Sequence, residues 1–436
     1  MEKIIAGVDE LNDYEYGCVE QTASKLNAML SKNYILIAMK QTALPNKRIN
    51  ALLGQLADMQ NTDGSFGWWK RNGNNDRMTI YAMEVAHKAL QAGYMNTIFN
   101  SANSYVLTHF KNMSISDKIY AYHVLLNAKT NSQETDQLYA NIPVDQLSGT
   151  DKIYLYQNKR ILGQSVVESD VYAVFLELNK NLSQPYTDNF FYDHRADVYK
   201  AYRLFKGSAY ESSFIKLFKA RLMNGQLEKN MNTYAKVAMI EALTMAALSD
   251  GSKPIPSTLT INDTLVIQQY PTRIPISGSR YKIKHQGGDV FGNTSEEQRS
   301  EKPDISDSVF SIRTYFLQGT NNTTSGKDAL KMGEACAFKI DLQAYKKAEH
   351  VMIEIPIPSG MKIKNKETHY SKGYYVQYFK HKVVYYFENL SMGTHQLEIS
   401  LTPVFAGRYV VAPAKISLMY YPFVYGNTVR KEIEIR

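Results

Sequence analysis

Cysteine is close to absent: the 436 residues hold only Cys18 and Cys336. That excludes a disulfide-dense scaffold. A single Cys18–Cys336 bridge is conceivable, but it would use up the Cys18 sulfur. Cys336, inside Glu334-Ala335-Cys336-Ala337-Phe338, reads as a buried small hydrophobe on a strand. Long apolar runs are missing as well. Nothing approaches the roughly 18 residues that a membrane-crossing helix needs, and too short an apolar stretch follows Met1-Glu2-Lys3 for a secretory leader. The net charge of +8 comes from scattered Lys and Arg. Without a basic block, a zinc-ligand spacing or an RNA-binding signature, nucleic acid is not an expected partner. There is no Gly-rich phosphate loop, no Gly-x-Ser-x-Gly elbow and no His-Glu-x-x-His. Glu84 and His87 share a helix face, yet one such pair does not make a metal site; no metal or cofactor is expected.

What the chain does have is material for substantial cores: 44% hydrophobic residues, 21% charged, and 32 tyrosines. Its length suggests two or three domains. From about Glu20 to Leu248 the apolar spacing is helical. Asn46–Met59 places Ile49, Leu52, Leu53, Leu56 and Met59 three and four apart, and Met78–Leu90 repeats the device. Further helices are predicted over Ser116–Leu126, Asp151–Leu162, Val166–Leu178, Val198–Phe205, Phe214–Met223 and Tyr234–Leu248, with breaks at Gly93, Asn112, Gly149, Gly163, Pro185 and Gly207. A total of about ten to twelve fits a helix-hairpin array, which packs either as an open superhelix or as a closed ring. Periodicity alone does not choose between them.

The chemistry concentrates near the start, in Tyr14-Glu15-Tyr16-Gly17-Cys18-Val19-Glu20-Gln21, which runs straight into a helical pattern. Cys18 and Gln21, three apart at a helix N-terminus, can meet on one face. If they condense with loss of ammonia, the Cys18 sulfur and the Gln21 carbonyl form an internal thioester. Such a bond is a stored acyl group. Gly17 permits a tight approach. Glu20 either favours the helix start or accepts hydrogen bonds from nearby backbone amides. Tyr14 and Tyr16 either cover the bond or pack at the mouth of the helical domain.

The pattern Tyr-x-Tyr-Gly-Cys-x-Glu-Gln resembles the thioester motif of the alpha-2-macroglobulin family, its bacterial branch above all. Val19 departs from the animal pattern, where glycine is usual. The resemblance implies that the helices close into an (α/α) toroid with inner and outer rings, followed by an all-β sandwich. A second segment carries it too: Gln60-Asn61-Thr62-Asp63-Gly64-Ser65-Phe66-Gly67-Trp68-Trp69 holds both tryptophans and resembles an element of terpenoid-cyclase-like toroids and of bacterial macroglobulin thioester domains. Gln60 and Asp63 are expected to cap helix ends, Asp63-Gly64-Ser65 to turn, and Trp68 or Trp69 either to staple helices or to wall off the thioester from water.

After Leu248 the composition turns to β-branched runs. Thr258–Ile261 and Thr264–Ile267 are expected to pair around Asn262-Asp263. His285–Asp307 reads as a loop, Tyr374–Phe379 should pair with Val383–Phe387, and Leu397–Leu401 alternates like a half-buried strand. Ile355–Met361 and Phe405–Pro422 resemble the terminal macroglobulin-like, receptor-binding domain. The expected division is a thioester domain over 1–250, a linker with a partial β-segment over 251–307, and a macroglobulin-like sandwich over 308–436. By the resemblance, the chain is the C-terminal piece of a longer protease-trapping protein of the periplasm or cell surface, not a turnover enzyme. Its partners would be proteases or other proteins offering lysine amines, and the rest of the macroglobulin chain. Two other readings stand beside this one. One is a binding module of the same fold in which the thioester never forms; the other is a toroid enzyme, which would need acidic residues converging in its cavity.

Overall fold

A computed structural model describes residues 7–9, 11–12, 17–38, 42–147, 149–181, 194–215, 231–249, 257–268, 274–275, 280–287, 309–319, 321–322, 329–366, 373–422 and 424–436. Tyr14 and Tyr16, the Pro185 break and the 251–256 linker lie outside these residues. Two compact units divide the chain, Met1–Ser295 and Glu296–Arg436.

The first unit includes ten α-helices: α1 Val19–Ala38, α2 Asn46–Met59, α3 Asp76–Gln91, α4 Ile98–His109, α5 Ile115–Ala128, α6 Gln133–Ala140, α7 Gly149–Ile161, α8 Glu168–Asn181, α9 His194–Phe205 and α10 Thr233–Ser249; residues 211–215 are helical as well. Their starts are made by side chains that satisfy orphan amides. Asn75 accepts the Met78 N–H, Ser114 that of Asp117, and Ser132 that of Thr135. Left-handed glycines follow their ends, Gly93 at φ 89° and Gly163 at φ 69°. Gly149, expected as a break, is instead the first residue of α7.

The packing of these helices closes on itself. α1 lies against α3, α3 against α5, α5 against α7, α7 against α9, α9 against α10, and α10 returns to α1. Outside this set, α2 rests on α1, α4 on α3, α6 on α5, and α8 on both α7 and α9. The sequence pattern follows the two roles. α3 buries Met78, Thr79, Ile80, Tyr81, Ala82 and Met83 in succession, because it has neighbours on most sides. α2 buries only the stripe Ile49, Leu53 and Leu56. A three-stranded antiparallel sheet belongs to the same unit: β1 Ser257–Ile261, β2 Leu265–Ile267 and β3 Ile283–Gly287, in the order β2-β1-β3. Residues 285–287 therefore extend a strand, where a loop was expected; the remainder of that segment lies outside the described residues.

The second unit is a pair of five-stranded antiparallel sheets, as in a β-sandwich. Their strands are β4 Phe310–Gln318, β5 Asn321–Asn322, β6 Cys336–Ala344, β7 Ala348–Pro356, β8 Met361–Ile363, β9 Tyr374–Tyr378, β10 Lys382–Leu390, β11 Gly393–Pro403, β13 Lys415–Leu418 and β14 Tyr425–Asn427. The orders are β14-β13-β7-β10-β9 and β5-β4-β6-β11-β8, and β12 Gly407–Val411 pairs with β15 Lys431–Ile435. Alternation sets the register. Tyr378 faces Val383 and Tyr374 faces Phe387, so the hairpin expected across Lys380-His381-Lys382 is present. Phe316 and Phe338, neighbours on β4 and β6, stack at 4.2 Å between ring centres within the core.

Candidate functional site

Cys18 is the residue before α1, and its carbonyl accepts the Thr22 N–H at 2.9 Å. It is thus the N-cap. The first amides of any helix lack intrahelical partners, and here the motif supplies them. The Gln21 N–H points at the Cys18 sulfur, 3.5 Å away, while the Gln21 Oε1 accepts the Cys18 N–H at 3.2 Å. This is the reciprocal arrangement of a capping box, with a thiol in place of the usual hydroxyl. The Val19 N–H is taken by the Trp68 carbonyl at 2.9 Å.

Both residues are sealed from water: Cys18 is 1% exposed and Gln21 0%. In that setting one atom stands out. The Gln21 Nε2 is buried with no hydrogen-bond partner. An unsatisfied buried amide donor costs about 1–3 kcal/mol. The Cys18 N–H holds the carboxamide by its oxygen, and its nitrogen is left without a hydrogen bond.

Glu20, also fully buried, accepts the Ser24 hydroxyl at 2.6 Å and the Thr233 hydroxyl at 2.9 and 2.8 Å from its two oxygens. These partners are side-chain hydroxyls, one of them from α10, where sequence reasoning offered backbone amides or a plain helix start. Ser24 also bonds the Tyr81 hydroxyl at 2.9 Å, drawing α3 into the same knot. Gly17 is exposed; a Cβ there would stand 3.2 Å from the Thr22 Oγ1. Lys25, half-buried on α1, was not singled out in the sequence. Burial pulls its ammonium below the usual lysine range, while negative charge on Cys18 and Glu20 pushes it back up.

The tryptophan loop adjoins this site through the Val19–Trp68 bond. Gln60 ends α2, and its Nε2 donates to the Gly64 and Ile98 carbonyls at 3.0 and 3.2 Å. Asp63 caps no helix end, contrary to expectation. Its Oδ1 accepts the Ser65 N–H and hydroxyl at 3.0 and 2.6 Å, an Asx turn that lowers its pKa. Gly64 sits at φ 88°, with its Cα facing the Ser101 carbonyl so closely that a Cβ would lie 2.2 Å from that oxygen. Trp68 and Trp69 are buried, their ring centres 6.4 Å apart.

Acidic residues do converge inside the ring of helices, yet they are matched. Lys88 bridges Glu84 at 2.8 Å and Glu241 at 2.5 Å, Arg203 approaches Glu241 at 3.5 Å, and the Tyr120 hydroxyl donates to Glu84. The neighbouring cations hold Glu84 far below the usual carboxylate range despite its burial. Lys200 lies over the Tyr234 and Tyr154 rings, at 4.1 and 5.2 Å. The cavity left among these side chains is about 30 Å³, room for about two waters and not for a terpenoid or a glycan. His87 packs on Phe99 of α4, the ring centres 5.0 Å apart. Among the described residues there is no metal-competent cluster of His, Cys, Asp or Glu.

Residues 311–422 match the family model described as the bacterial alpha-2-macroglobulin MG10 domain. The alpha-2-macroglobulin of Escherichia coli K12 is 30% identical over 122 residues, 26% of this chain and 7% of that protein. The alpha-2-macroglobulin of Rickettsia conorii is 30% identical over 155 residues, 32% of this chain and 8% of that one. Residues 311–422 thus match a bacterial alpha-2-macroglobulin domain, and stretches of the chain resemble bacterial alpha-2-macroglobulins in sequence. The fold agrees along its whole length. A structure of native E. coli alpha-2-macroglobulin, spanning domain MG7 to the C-terminus, superposes with a TM-score of 0.69 at 16% identity, covering 99% of this chain and 75% of that one. Salmonella alpha-2-macroglobulin reacted with methylamine gives 0.69 at 16% identity, over 100% of this chain and 31% of that one. The region compared is thus a fraction of the full-length relatives.

Proposed function

We propose that Cys18 and Gln21 condense into an internal thioester that acylates a protein target once, as the reactive element of a protease-trapping macroglobulin. The orphaned Gln21 Nε2 carries this reading, since it is the one atom that ring closure expels. The Cys18 sulfur attacks the Gln21 Cδ. Charge gathers on Oε1, where the Cys18 N–H already donates and the helix N-terminus is positive. The C–N bond then breaks, and the thiol proton leaves with nitrogen as ammonia. In the second step a target amine attacks the same carbon, and sulfur departs as a thiolate stabilised by the helix N-terminus.

In this reading the described helices are an (α/α) toroid, and its knot of Glu20, Ser24, Tyr81 and Thr233 keeps the site dry. Trp68 and Trp69 belong to the same water-excluding wall. The domain limits of 1–250, 251–307 and 308–436, the targets (proteases or other proteins offering lysine amines), the association with the rest of a macroglobulin chain and a periplasmic or cell-surface location are parts of the proposal. The methylamine reaction of the Salmonella protein supports the amine chemistry, by analogy of fold.

The test is intact mass on freshly purified protein. Closure removes one ammonia, about 17 Da, and methylamine should then add to Gln21 while a Cys18 thiol appears. A fresh protein of full mass with a titratable Cys18 would leave only a binding module of this fold.

A further inference from the structure

Lys25 stands one helical turn beyond Gln21 and two beyond Cys18 in α1. At spacings of four and seven residues the three side chains share a helix face. Helical side chains lean toward the N-terminus, which directs Lys25 toward Gln21, and Cys18 and Glu20 are near enough to act on its charge. Its neighbours in this turn, Ser24 and Leu26, are buried, while Lys25 is only half so.

Resting on the thioester reading, we propose that Lys25 captures the Gln21 acyl group when no outside nucleophile takes it, closing a Gln21–Lys25 isopeptide bond within α1. The neutral Lys25 amine attacks Cδ of Gln21. The Cδ–Sγ bond breaks, and its electron pair leaves on sulfur. The proton shed by the new amide nitrogen passes to the Cys18 thiolate. Nothing else is consumed or released, and the product joins residues whose spacing already lets their side chains meet.

Two features favour this fate. A well-oriented internal nucleophile acts at effective concentrations that reach about 10⁵ M, far above any external amine. The amine must first lose its proton, and burial assists that loss. The opposing Cys18 charge belongs to the thiolate and is gone once the sulfur is acylated. Glu20, the other group that raises the Lys25 pKa, accepts from Ser24 and Thr233.

The experiment ages the fresh full chain at neutral pH without added amine, following intact mass and thiol content together. Hydrolysis of the thioester frees the Cys18 thiol and adds water, about 18 Da. Capture by Lys25 frees the same thiol and adds nothing. The wild type is expected to gain a thiol at constant mass and to yield a proteolytic fragment in which Gln21 and Lys25 are joined. Lys25→Arg keeps the charge but offers no nucleophile; it should gain about 18 Da instead, and Lys25→Met should do the same. Methylamine uptake by fresh variants shows that their sites are built. A fresh wild type short of ammonia, with a free thiol and inert to methylamine, has already made the crosslink. A wild type that gains water as the variants do, without the joined fragment, overturns the Lys25 proposal alone. Full mass in the fresh protein overturns the thioester reading and this one with it.

Discussion

A single hydroxyl ties α10 to the residue beside Gln21: Thr233 Oγ1 bonds both carboxylate oxygens of Glu20, at 2.9 and 2.8 Å, across 213 positions of sequence. Glu20 is fully buried, so its charge depends on such donors. Thr233→Val keeps the shape and removes the hydroxyl. A hydrogen bond to a charged group contributes about 1.5–3 kcal/mol, and an abandoned buried acceptor adds to the loss. Denaturant unfolding of the helical unit should show a deficit of that order, and thioester hydrolysis should quicken as α10 loosens from α1. Thr233→Ser should restore both; equal stability of all three proteins would remove the knot from the account.

Gly64 and Gly73 make a matched pair in the tryptophan loop. Both have positive φ, 88° and 72°. Alanine at Gly73 meets open space and should cost about 1 kcal/mol for its backbone alone. Alanine at Gly64 would drive its Cβ to 2.2 Å from the Ser101 carbonyl oxygen, so the loop must move. Thermal melts should rank Gly64→Ala well below Gly73→Ala, and the displaced Trp68 carbonyl should weaken its hold on Val19. Faster decay of methylamine-reactive protein is expected in the first variant only.

The helices most legible in the sequence were those with one clean apolar stripe. Asn46–Met59 was bounded to the residue, because Ile49, Leu53 and Leu56 face a single neighbour. α4 and α6 were missed for opposite reasons. Ile98–His109 carries Asn and Ser among its apolar residues, and Gln133–Ala140 is a polar two-turn helix that rests on the Ser132–Thr135 cap. The spacing of Cys18 and Gln21 was enough to expect that they meet at a helix start. The Glu20 partners could not be read, since Thr233 is distant in sequence and no local pattern marks a hydroxyl for a remote carboxylate. Nor does composition reveal that Glu241 meets Lys88, 153 positions away, because that pairing exists only once the helices have packed, whereas Glu84 and Lys88, four apart on α3, pair locally. The β-hairpins were readable because alternation with period two survives tertiary packing on one face.

Thiol counting separates the two cysteines cleanly. Cys336 opens β6, buried, and its surroundings push the thiol up to about 11, so almost none is thiolate at neutral pH. Alkylation of the folded protein at pH 7 should therefore report Cys18 alone: no label while the thioester is closed, one label after methylamine. Cys18→Ala should take no label and show no ammonia deficit, with little change in the melting of the sandwich unit. Labelling of Cys336 in the folded Cys18→Ala protein would contradict the burial described.

His123 offers the clearest pH signature. On α5, 4% exposed, it packs beside Tyr154 with the two rings tilted at 50°. Its Nδ1 lies 2.9 Å from the Asn158 Oδ1 and its Nε2 3.2 Å from the Asn127 Nδ2. That pattern fits a neutral ring with its proton on Nδ1, and a second proton on Nε2 would face another donor. Burial holds the imidazole down to about 4; Glu84 opposes this, while Arg203 and Lys88 reinforce it. Between pH 6.5 and 4 an unfolded chain therefore takes up a proton that the folded one refuses. Stability is complete above pH 6.5 and falls as the pH drops through that window, by about 3 kcal/mol for this group. Histidine NMR should find His123 still neutral at pH 5, and His123→Gln should flatten the loss of helical-unit stability between pH 7 and 4.5. If His123 titrates near 6.5, or the variant keeps the full slope, the refusal of that proton is not what weakens the ring in acid.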